Sequence, residues 1–404
     1  MLNQEDKKMK KKRKIAIFTG NRAEYGLQYP IIKAVDKHPG LEYYLLVSGA
    51  HLQEDFGYTV KEIEHDGFKV YREVKLDMKR DDLFGTAQAI GSGILSLSGI
   101  LDELQPDFLA VYADRFEGFA AVVTGTQMGI PTAHIEGGDI TEGGALDDSV
   151  RHAMTKLAHL HFTTNEDASE RIRKLGEEPW RVFTVGFPAI DLIADNHFAK
   201  AGELAAKYKL DPHRPLAIYT QHSIATEYKE AARQIEPALN ALFTLAREGV
   251  QVMMTFPNND AGSSLIINRL KETTGKERDN IQLHQSLGRY NYHGILHICG
   301  RTGRGVCVGN SSSGIKETPA FGCPAVNIGE RQRGRLRARN IIDTNYDEKE
   351  IYAAVKKCLE NEDFRRQCRE CDNPYGQGDA GKKVAEVLAT IPIDLRLIQK
   401  KMTY

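Results

Sequence analysis

The sequence lacks several features that would place a chain of 404 residues in a special class. No apolar run approaches the roughly 18–20 residues that a membrane-spanning helix needs, so no membrane partner is expected. The apolar run 15–19, which follows a basic start, is too short for the hydrophobic part of a signal peptide and meets Gly20 directly. We therefore expect a cytoplasmic protein in which residues 1–13 form a solvated basic tail.

The chain also lacks a strong net charge and has only one closely spaced pair of cysteines. Residues 1–14 hold seven Lys and Arg against two acids, and because the whole chain carries −1, the remainder lies near −6. Such a body is not a basic nucleic-acid binder, and no nucleic-acid partner is expected. The six cysteines include a lone C-x-x-C at 368–371 without a second pair. We interpret them as free thiols in a reducing compartment.

Short apolar runs do occur, and they alternate with helical patterns. Hydrophobic residues make up 41% and charged residues 27% of the chain, as in an ordinary globular protein. Runs such as 14–19, 43–47 and 108–112 are continuously apolar and are separated by helices of about 10–15 residues. The pattern predicts an α/β protein with two Rossmann-like, doubly wound domains that face each other across a cleft.

The predicted boundary between these domains lies near 186–188 and the polar stretch 199–215. We expect an N-terminal Rossmann-like domain at 14–190 and a C-terminal one at 191–376. A length of 404 residues fits two domains of roughly 150–200 residues.

The residues just after the predicted strands carry the functional information, because ligands of such sheets bind there. The segment 19–24 (TGNRAE) offers a tight turn and a helix start that can hold phosphate, but it is no G-x-G-x-x-G nicotinamide site. His51 fits a sugar or phosphate contact and a plain loop histidine equally well. Asp114 and Arg115 face the expected cleft, although Asp114 also fits the N-cap of a helix at 116–128.

The strongest local signal is a cluster of acids and glycines. It runs through 134–139 (HIEGGD) and 141–144 (TEGG) to Asp147 and Asp148. A surface turn, with one of these aspartates capping the next helix, has the same composition. Carboxylates crowded beside a histidine, however, separate their pKa values, so that one serves as an acid while another serves as a base. We favour this functional interpretation.

In the C-terminal half, a loop rich in serine follows a predicted strand. The segment 309–314 (GNSSSG) precedes a predicted helix at 315–321, and hydroxyls with backbone N–H groups at a helix start suit a diphosphate. Glu317, one turn into that helix, is placed to accept hydrogen bonds from ribose hydroxyls. The polar segment 256–260 follows another strand.

Two basic patterns complete the candidates. His159 is expected to be charged near a helix C-terminus, and the H-x-H at 159–161 lacks a third ligand for zinc, so no metal is expected. Arginine occupies every second position of 331–339, which in an extended segment would put all five on one side. We expect Arg331 to reach the ligand and most of the others to be solvated or structural.

Together, these motifs resemble the hydrolysing UDP-N-acetylglucosamine 2-epimerases of sialic-acid biosynthesis. The resemblance covers roughly residues 14–390. The matching segments, in chain order, are Asn21–Tyr25, His51, Asp114–Arg115, His134–Gly138, Asp147–His152, Lys156–His159, Phe256–Gly262 and Gly309–Glu317.

The resemblance implies a glycosyltransferase-B-like fold in which the C-terminal helix, at 377–404, returns to the first domain. It implies anti-elimination of UDP to a glycal followed by hydration, yielding UDP and N-acetylmannosamine, with no cofactor and with a homodimer or homotetramer as the assembly. The implied catalytic residues are Asp114, Glu136, Asp147, His134 and His222. The implied substrate-binding residues are Arg22, Glu24, His51, Arg115, Asp148, Arg151, Asn258, Asp260, Ser311, Ser312, Ser313, Glu317 and Arg331.

The elimination explains the need for these residue types. Because the C2 proton is weakly acidic, C1–O cleavage leads, and carboxylates around the ring stabilise the developing positive charge. One carboxylate, either Asp114 or Glu136, then takes the C2 proton. A cationic cradle rich in N–H groups stabilises the departing diphosphate.

Three departures from the family pattern bear on the sugar and on the fold. Tyr112-Ala113 replaces the usual His-Gly, the segment after Glu136 is about two residues longer, and a basic insertion occupies 299–305. The first two departures leave open a UDP-2,4-diacetamido-2,4,6-trideoxy-glucose substrate, as in legionaminic-acid biosynthesis. The sequence is also compatible with a non-hydrolysing 2-epimerase, a glycosyltransferase of the same fold and a silent nucleotide-sugar sensor.

Overall fold

The computed structural model describes residues 11–54, 58–78, 83–140, 146–257, 262–274 and 280–404, without the side chains of residues 22, 23, 146, 225 and 226. The chain divides into two compact units. The first unit contains the described residues up to Asp139, Leu146–Pro188 and Asp379–Tyr404. The second unit contains Ile140 and Ala189–Gly378.

Each unit is built on one parallel sheet. Within the described residues, the strands are β1 Arg13–Thr19, β2 Leu41–Ser48, β3 Val70–Val74, β4 Phe108–Tyr112, β5 Thr132–Ile135, β6 Leu160–Thr163, β7 Val182–Thr184, β8 Leu216–Thr220, β9 Gln251–Thr255, β10 Ile281–His284, β11 Gly305–Gly309, β12 Ala325–Ile328 and β13 Ile341–Thr344. The strand order is β3-β2-β1-β4-β5-β6-β7 in the first unit and β10-β9-β8-β11-β12-β13 in the second.

Helices follow most of the strands. They are α1 Arg22–Lys37, α2 Val60–His65, α3 Leu83–Leu104, α4 Phe116–Gln127, α5 Leu146–Leu157, α6 Glu166–Lys174, α7 Ala189–Ala194, α8 Ala201–Tyr208, α9 Ala231–Arg247, α10 Ser263–Thr274, α11 Gly288–His297, α12 Ser313–Lys316, α13 Glu348–Glu360, α14 Glu362–Arg369, α15 Ala380–Thr390 and α16 Leu395–Ile398. Both sheets are doubly wound, so the predicted fold class is confirmed.

The winding direction reverses between β1 and β4 in the first sheet and between β8 and β11 in the second. In each case the two central strands are direct neighbours and run parallel. Their side chains are almost completely buried, as expected for strands covered on both faces. The loops after these four strands therefore open at the positions where doubly wound sheets bind ligands.

Helix α3 contains 22 residues and is more apolar than the sequence interpretation allowed. By length and composition alone it would pass as a membrane span, because an 18-residue window of it has a mean hydropathy of 1.3. One stripe of the helix, including Leu97 and Leu101, packs into the buried cluster over the first sheet. The opposite face leaves Phe84 56% and Leu95 78% exposed. Because one stripe is already packed on the sheet, composition alone is weak evidence for insertion in a membrane.

The polar stretch 199–215 contains helix α8, whose Leu204 is completely buried. Two local predictions were wrong. The helix expected at 315–321 is one α-turn, α12, followed by a 3-10 turn at Thr318–Phe321. The arginine-rich segment 331–339 begins in turns instead of an extended chain, so its arginines do not form one row.

The C-terminal residues complete the core of the first unit. Val384 and Leu388 of α15 are buried with Ile31 of α1. Arg181, which is fully buried, donates to the carbonyls of Arg396 and Leu397 at 2.6 and 2.7 Å. Because these bonds use the backbone of the last helix, they fix that helix to the start of β6 and β7.

Lys400 adds a second anchor. Its Nζ donates to the carbonyls of Lys156 and Ala158 at 2.7 and 2.6 Å, where α5 ends, and lies 2.7 Å from Glu177. The last carbonyls of a helix lack intrahelical donors and carry partial negative charge, so the ammonium caps α5. Burial lowers the pKa of Lys400 to about 8, although Glu177 opposes this shift.

Gly309, at the end of β11, gives a test of the second unit's core. Its φ is +128°, and a Cβ atom there would stand 1.9 Å from the carbonyl oxygen of Thr220 on β8. Gly309→Ala is expected to lower the free energy of unfolding by roughly 3 kcal/mol or more, because the two central strands must separate. Urea unfolding of the purified variant measures this.

Gly249→Ala is the matched control. Gly249 also has a positive φ, +98°, but nothing lies within 4 Å of its added Cβ. Gly249→Ala should lower the free energy of unfolding by only about 1–2 kcal/mol, because the substitution strains the backbone without a steric clash. Equal costs for the two variants would contradict the close approach of β8 and β11.

Candidate functional site

The acid cluster forms where β4 and β5 end side by side in the first unit. Tyr112 and Ile135 pair across these strands, so Asp114 and Glu136 follow at the same edge. Ala113 and Glu136 both adopt left-handed backbone angles, with φ of 58° and 63°. Such angles are uncommon for residues other than glycine, and they concentrate at functional sites, where surrounding contacts hold them.

His134 holds this strand end together. Its Nε2 lies 2.6 Å from the carbonyl of Ala113, and its Nδ1 lies 3.1 Å from the hydroxyl of Thr155. A carbonyl only accepts, so Nε2 carries the proton, and Nδ1 accepts from Thr155. Burial lowers the pKa of His134 to about 3. In the structure, this predicted catalytic histidine is therefore neutral, and it binds the backbone carbonyl of the residue that precedes Asp114.

Glu136 is only 8% exposed, and the hydroxyl of Tyr112 donates to its Oε2. Tyr112 is the residue that departs from the family's His-Gly. Burial, and then the nearby Glu136, raise the pKa of Tyr112 well above its ordinary value. The phenol therefore remains a hydrogen-bond donor to the carboxylate throughout the physiological range.

Arg151 of α5 connects the other acids. Its guanidinium pairs with Asp114 through Nη2 and with Asp148 through Nη1, and Nη1 also donates to the carbonyl of Asp139 at 2.9 Å. The Arg151 side chain is 4% exposed. A buried fork of this kind binds both carboxyl groups at once and fixes their direction.

Asp147 stands in a different environment from Asp114. Burial raises its pKa, and the neighbouring charge of Asp114 raises it further. Neither Asp114 nor Asp147 is a helix N-cap: α4 is preceded by Arg115 without a side-chain cap bond, and α5 already begins at Leu146. The interpretation of Asp114 as a cap was therefore wrong.

Sequence reasoning missed Glu117, the second residue of α4. It is completely buried, and its only ion pair among the described residues is Nε of Arg115, at 3.5 Å. A Cβ on Gly20 would touch Glu117 at 3.0 Å, so this carboxylate lies directly over the turn after β1. Helical position alone gives no sign of this, because a glutamate in the first turn is ordinarily solvated.

Glu24 reaches the same turn from α1. Its Oε2 accepts from the backbone N–H of Gly20 at 2.9 Å, and its own N–H donates to Asn21, the helix N-cap. Burial raises the pKa of Glu24 to about 8, with further contributions from Glu117. Burial likewise raises the pKa of Glu117. A carboxyl pair that holds a proton near neutral pH thus lies beside Arg115.

The structure gives the surroundings of two histidines that the sequence marked, His51 and His159. His51 is buried, with Nε2 3.2 Å from Thr19 and Nδ1 2.7 Å from Thr59, so both nitrogens are used within the first unit. His159 was expected to be charged. Burial, and then Lys400, lower its pKa to about 4, so that expectation was wrong. Among the residues that the structure describes, no His, Cys, Asp and Glu group could hold a metal ion.

In the second unit, Asn310 joins the two central strand ends. Its side chain accepts from the N–H of His222 at 2.6 Å and donates to the carbonyl of His222 at 2.9 Å. Its own carbonyl accepts from Gln332 at 2.9 Å and from Arg331 at 3.3 Å. Burial lowers the pKa of His222 to about 3. The structure thereby brings His222, the serine loop and Arg331 together.

The serine loop orients Glu317. Ser313 donates to Oε2 of Glu317 at 2.7 Å, and Nε2 of His293, on α11, lies 3.0 Å from the same oxygen. Ser311 and Ser312 are partly exposed beside it. Sequence reasoning missed His293, which no local motif marks. The predicted contacts Asn258 and Asp260, and the side chain of Arg22, lie outside the described residues.

Solved structures define the class to which this architecture belongs. A UDP-GlcNAc 2-epimerase from Neisseria meningitidis bound to UDP-GlcNAc superposes with a TM-score of 0.76 at 18% identity, covering 93% of this chain and 99% of that one. The enzyme from Methanocaldococcus jannaschii, in complex with UDP-GlcNAc and UDP, gives 0.71 at 16%, covering 93% and 99%. The fold is the two-domain, glycosyltransferase-B-like α/β fold.

The sequence itself narrows the class. The sequence model of the UDP-N-acetylglucosamine 2-epimerase family matches residues 33–389, and the chain belongs to this family. It is 32% identical to the hydrolysing GDP/UDP-N,N'-diacetylbacillosamine 2-epimerase of Campylobacter jejuni, over 88% of this chain and 89% of the relative. A UDP-N-acetylglucosamine 2-epimerase of Neisseria meningitidis is 30% identical over 93% and 95%. The hydrolysing UDP-N,N'-diacetylbacillosamine 2-epimerase of Legionella pneumophila is 28% identical over 97% and 100%.

Buried neutral histidines predict a pH dependence of stability in the first unit. The pKa values of His51 and His161 are lowered to about 4 and that of His134 to about 3, in each case mainly by burial. The unfolded chain binds protons below about pH 6.5 whereas the folded chain does not, so stability falls with pH below that value. Each histidine contributes at most about 1.4 kcal/mol per pH unit.

Unfolding followed by fluorescence at pH 7.5, 6.0 and 5.0 measures the effect. Trp180, the single tryptophan, lies in the first unit and reports that unit alone. His51→Asn should make the decline shallower by one histidine's share. Constant stability over this range would contradict the neutral state of these histidines.

Glu117 offers a test that separates function from stability. Glu117→Met replaces a buried carboxyl group that has no hydrogen-bond partner among the described residues for either oxygen. We expect the free energy of unfolding to rise by about 1–2 kcal/mol, because an apolar group of similar size replaces a desolvated charge. Turnover of a UDP-sugar should fall at least about tenfold. The exposed Glu103→Gln is the control, and a destabilised Glu117→Met would mark Glu117 as structural instead.

Proposed function

We propose that the protein is a hydrolysing 2-epimerase that converts a UDP-2-acetamido sugar and water to UDP and the free 2-epimeric sugar. The observation that carries this proposal is the pairing of Arg151 with Asp114 beside Glu136 at the ends of β4 and β5. Several carboxylates held at one strand edge suit a reaction that builds positive charge on a sugar ring. A transferase would in addition have to bind an acceptor.

In the proposed mechanism, C1–O cleavage leads and the leaving UDP takes the bonding electrons. Asp114 or Glu136, both held by donors in the ground state, removes the C2 proton to give the glycal. Water then adds at C1 as C2 is protonated from the other face. Asp147, whose pKa is raised, is placed to supply a proton during this hydration.

The second unit is proposed to hold the nucleotide. Ser311, Ser312 and Ser313 supply hydroxyl and backbone donors for the diphosphate, and Arg331 supplies positive charge beside them. Because α12 is a single turn, its dipole is small, so side chains must contribute more than the helix end. Glu317 is proposed to accept from the ribose.

Two sugars compete for this site. UDP-N-acetylglucosamine, giving N-acetylmannosamine, is the first candidate, in keeping with the family's name. UDP-2,4-diacetamido-2,4,6-trideoxy-glucose is the second. Two observations favour it: the relatives in Campylobacter jejuni and Legionella pneumophila are diacetylbacillosamine 2-epimerases, and Tyr112 replaces the family's histidine. The phenol donates to Glu136, which changes the polar groups that a sugar would meet.

A homodimer or homotetramer in the cytoplasm belongs to the same proposal. The exposed residues Phe84 and Leu95 of α3 form an apolar face that a second copy would cover. Sedimentation of the purified protein measures the assembly, and a monomer at micromolar concentration would contradict this part of the proposal.

Proton NMR in heavy water tests the reaction with each sugar nucleotide in turn. Released UDP with a free 2-epimeric sugar carrying deuterium at C2 supports the proposal and identifies the sugar. A UDP-linked 2-epimer would indicate the non-hydrolysing reaction. No turnover of either compound, with binding retained, would instead favour a sensor or a transferase.

The two candidate bases can be separated by variants. Asp114→Asn and Glu136→Gln should each lower turnover by roughly 10²–10⁴-fold, the range for loss of a positioned proton acceptor. Only the base variant should also lose deuterium exchange at C2. Asp343→Asn, in the second unit and on the exposed side of β13, is the control and should retain turnover.

A further inference from the structure

Glu317 is an unusual carboxylate because both of its hydrogen bonds fall on one oxygen. Ser313 Oγ and His293 Nε2 reach Oε2 at 2.7 and 3.0 Å, and no described residue hydrogen-bonds to Oε1. The side chain is 13% exposed, so one oxygen is enclosed while the residue still reaches solvent. A carboxylate held in this way presents its second oxygen in a fixed direction.

The proton arrangement agrees with an ionised Glu317. Burial alone would raise its pKa, but the hydrogen bond from His293 and then that from Ser313 lower it below the ordinary value. Oε2 is therefore an acceptor for both neighbours, and His293 donates through Nε2. An ionised carboxylate with one unoccupied oxygen is a strong acceptor for hydroxyl groups.

His293 is placed for this single contact. Its side chain is 2% exposed on α11, and its Nδ1 has no hydrogen-bond partner among the described residues. A buried histidine that leaves one nitrogen unsatisfied is costly, whereas an apolar residue would fill the same space without this cost. The neighbouring Phe321 ring, with centroids 5.5 Å apart, would pack equally well against leucine.

We propose that His293 is a positioning residue that turns Oε1 of Glu317 toward the ribose hydroxyls of the bound nucleotide. The inference rests on the proposed function, because it requires a nucleotide in the second unit. It adds a specificity determinant: the protein would select ribonucleotides over deoxyribonucleotides through an interaction that is independent of the base.

The test pairs variants of the protein with variants of the ligand. Calorimetry measures the affinity of the full chain for UDP, 2'-deoxy-UDP and 3'-deoxy-UDP. For wild-type protein, removal of the hydroxyl that Glu317 binds should weaken binding by roughly 10–100-fold, as expected for a hydrogen bond to a charged group. His293→Leu should weaken UDP binding about tenfold and leave the affinity for the sensitive deoxy compound nearly unchanged.

Two further variants separate positioning from packing. His293→Gln retains an N–H donor at the place of Nε2 and should restore most of the preference for UDP over the deoxy compounds. His297→Leu removes a half-buried histidine one turn along α11 that makes no hydrogen bond to Glu317, and it should bind all three ligands like the wild type. Thermal unfolding of each variant verifies the fold.

The outcomes distinguish this inference from the proposed function. Equal weakening of UDP and deoxy-UDP in His293→Leu, without rescue by glutamine, would make His293 a packing residue and overturn the inference. Wild-type protein that binds UDP and both deoxy compounds equally would also overturn it, while leaving the proposed function intact. Absence of binding to UDP and to GDP would overturn both.

Discussion

Where each sheet reverses its winding, two neighbouring parallel strands send their following loops to opposite faces. The gap between those loops has no backbone to fill it, so polar side chains and turns must line it. In the first unit the turn after β1 is covered by two buried carboxyl groups from α1 and α4. In the second unit Asn310 spans the gap with two hydrogen bonds to the backbone of His222. Both proposed binding sites depend on this one property of doubly wound sheets.

The buried acidic side chains of the first unit repel one another, and a cation placed among them offsets this repulsion. Arg151 binds two aspartates and a carbonyl with one planar guanidinium, whose N–H groups point in fixed directions. The left-handed backbone angles of Ala113 and Glu136 add local strain. The hydrogen bond from the buried His134 to the carbonyl of Ala113 stabilises this backbone. Strain and charge crowding oppose stability, and their concentration at one strand edge indicates a site shaped for function.

The fold class could be predicted from the sequence because buried parallel strands read as short apolar runs between helices. For the same reason, the acids and serines could be assigned to strand ends. Contacts between residues that are distant in sequence could not be predicted. No residue near Glu117 in sequence shows that α4 places its side chain over Gly20. The two threonines that hydrogen-bond to the ring nitrogens of His51 also lie in different parts of the first unit. The prediction that His159 is charged was wrong because the side chain is buried, and because Lys400, distant in sequence, lowers its pKa further.

The anchoring of the C-terminal residues has a consequence for synthesis on the ribosome. Helix α15 and Lys400 follow the second unit along the chain, yet they complete the core of the unit whose first strand precedes the second unit. The second unit, by contrast, lies wholly between these segments and can close as soon as β13, α13 and α14 have left the exit tunnel. The second unit is thus free to fold before the acid cluster has its final support. The helix that carries Asp147, Asp148 and Arg151 would receive its C-terminal cap only after the whole second unit has been synthesised.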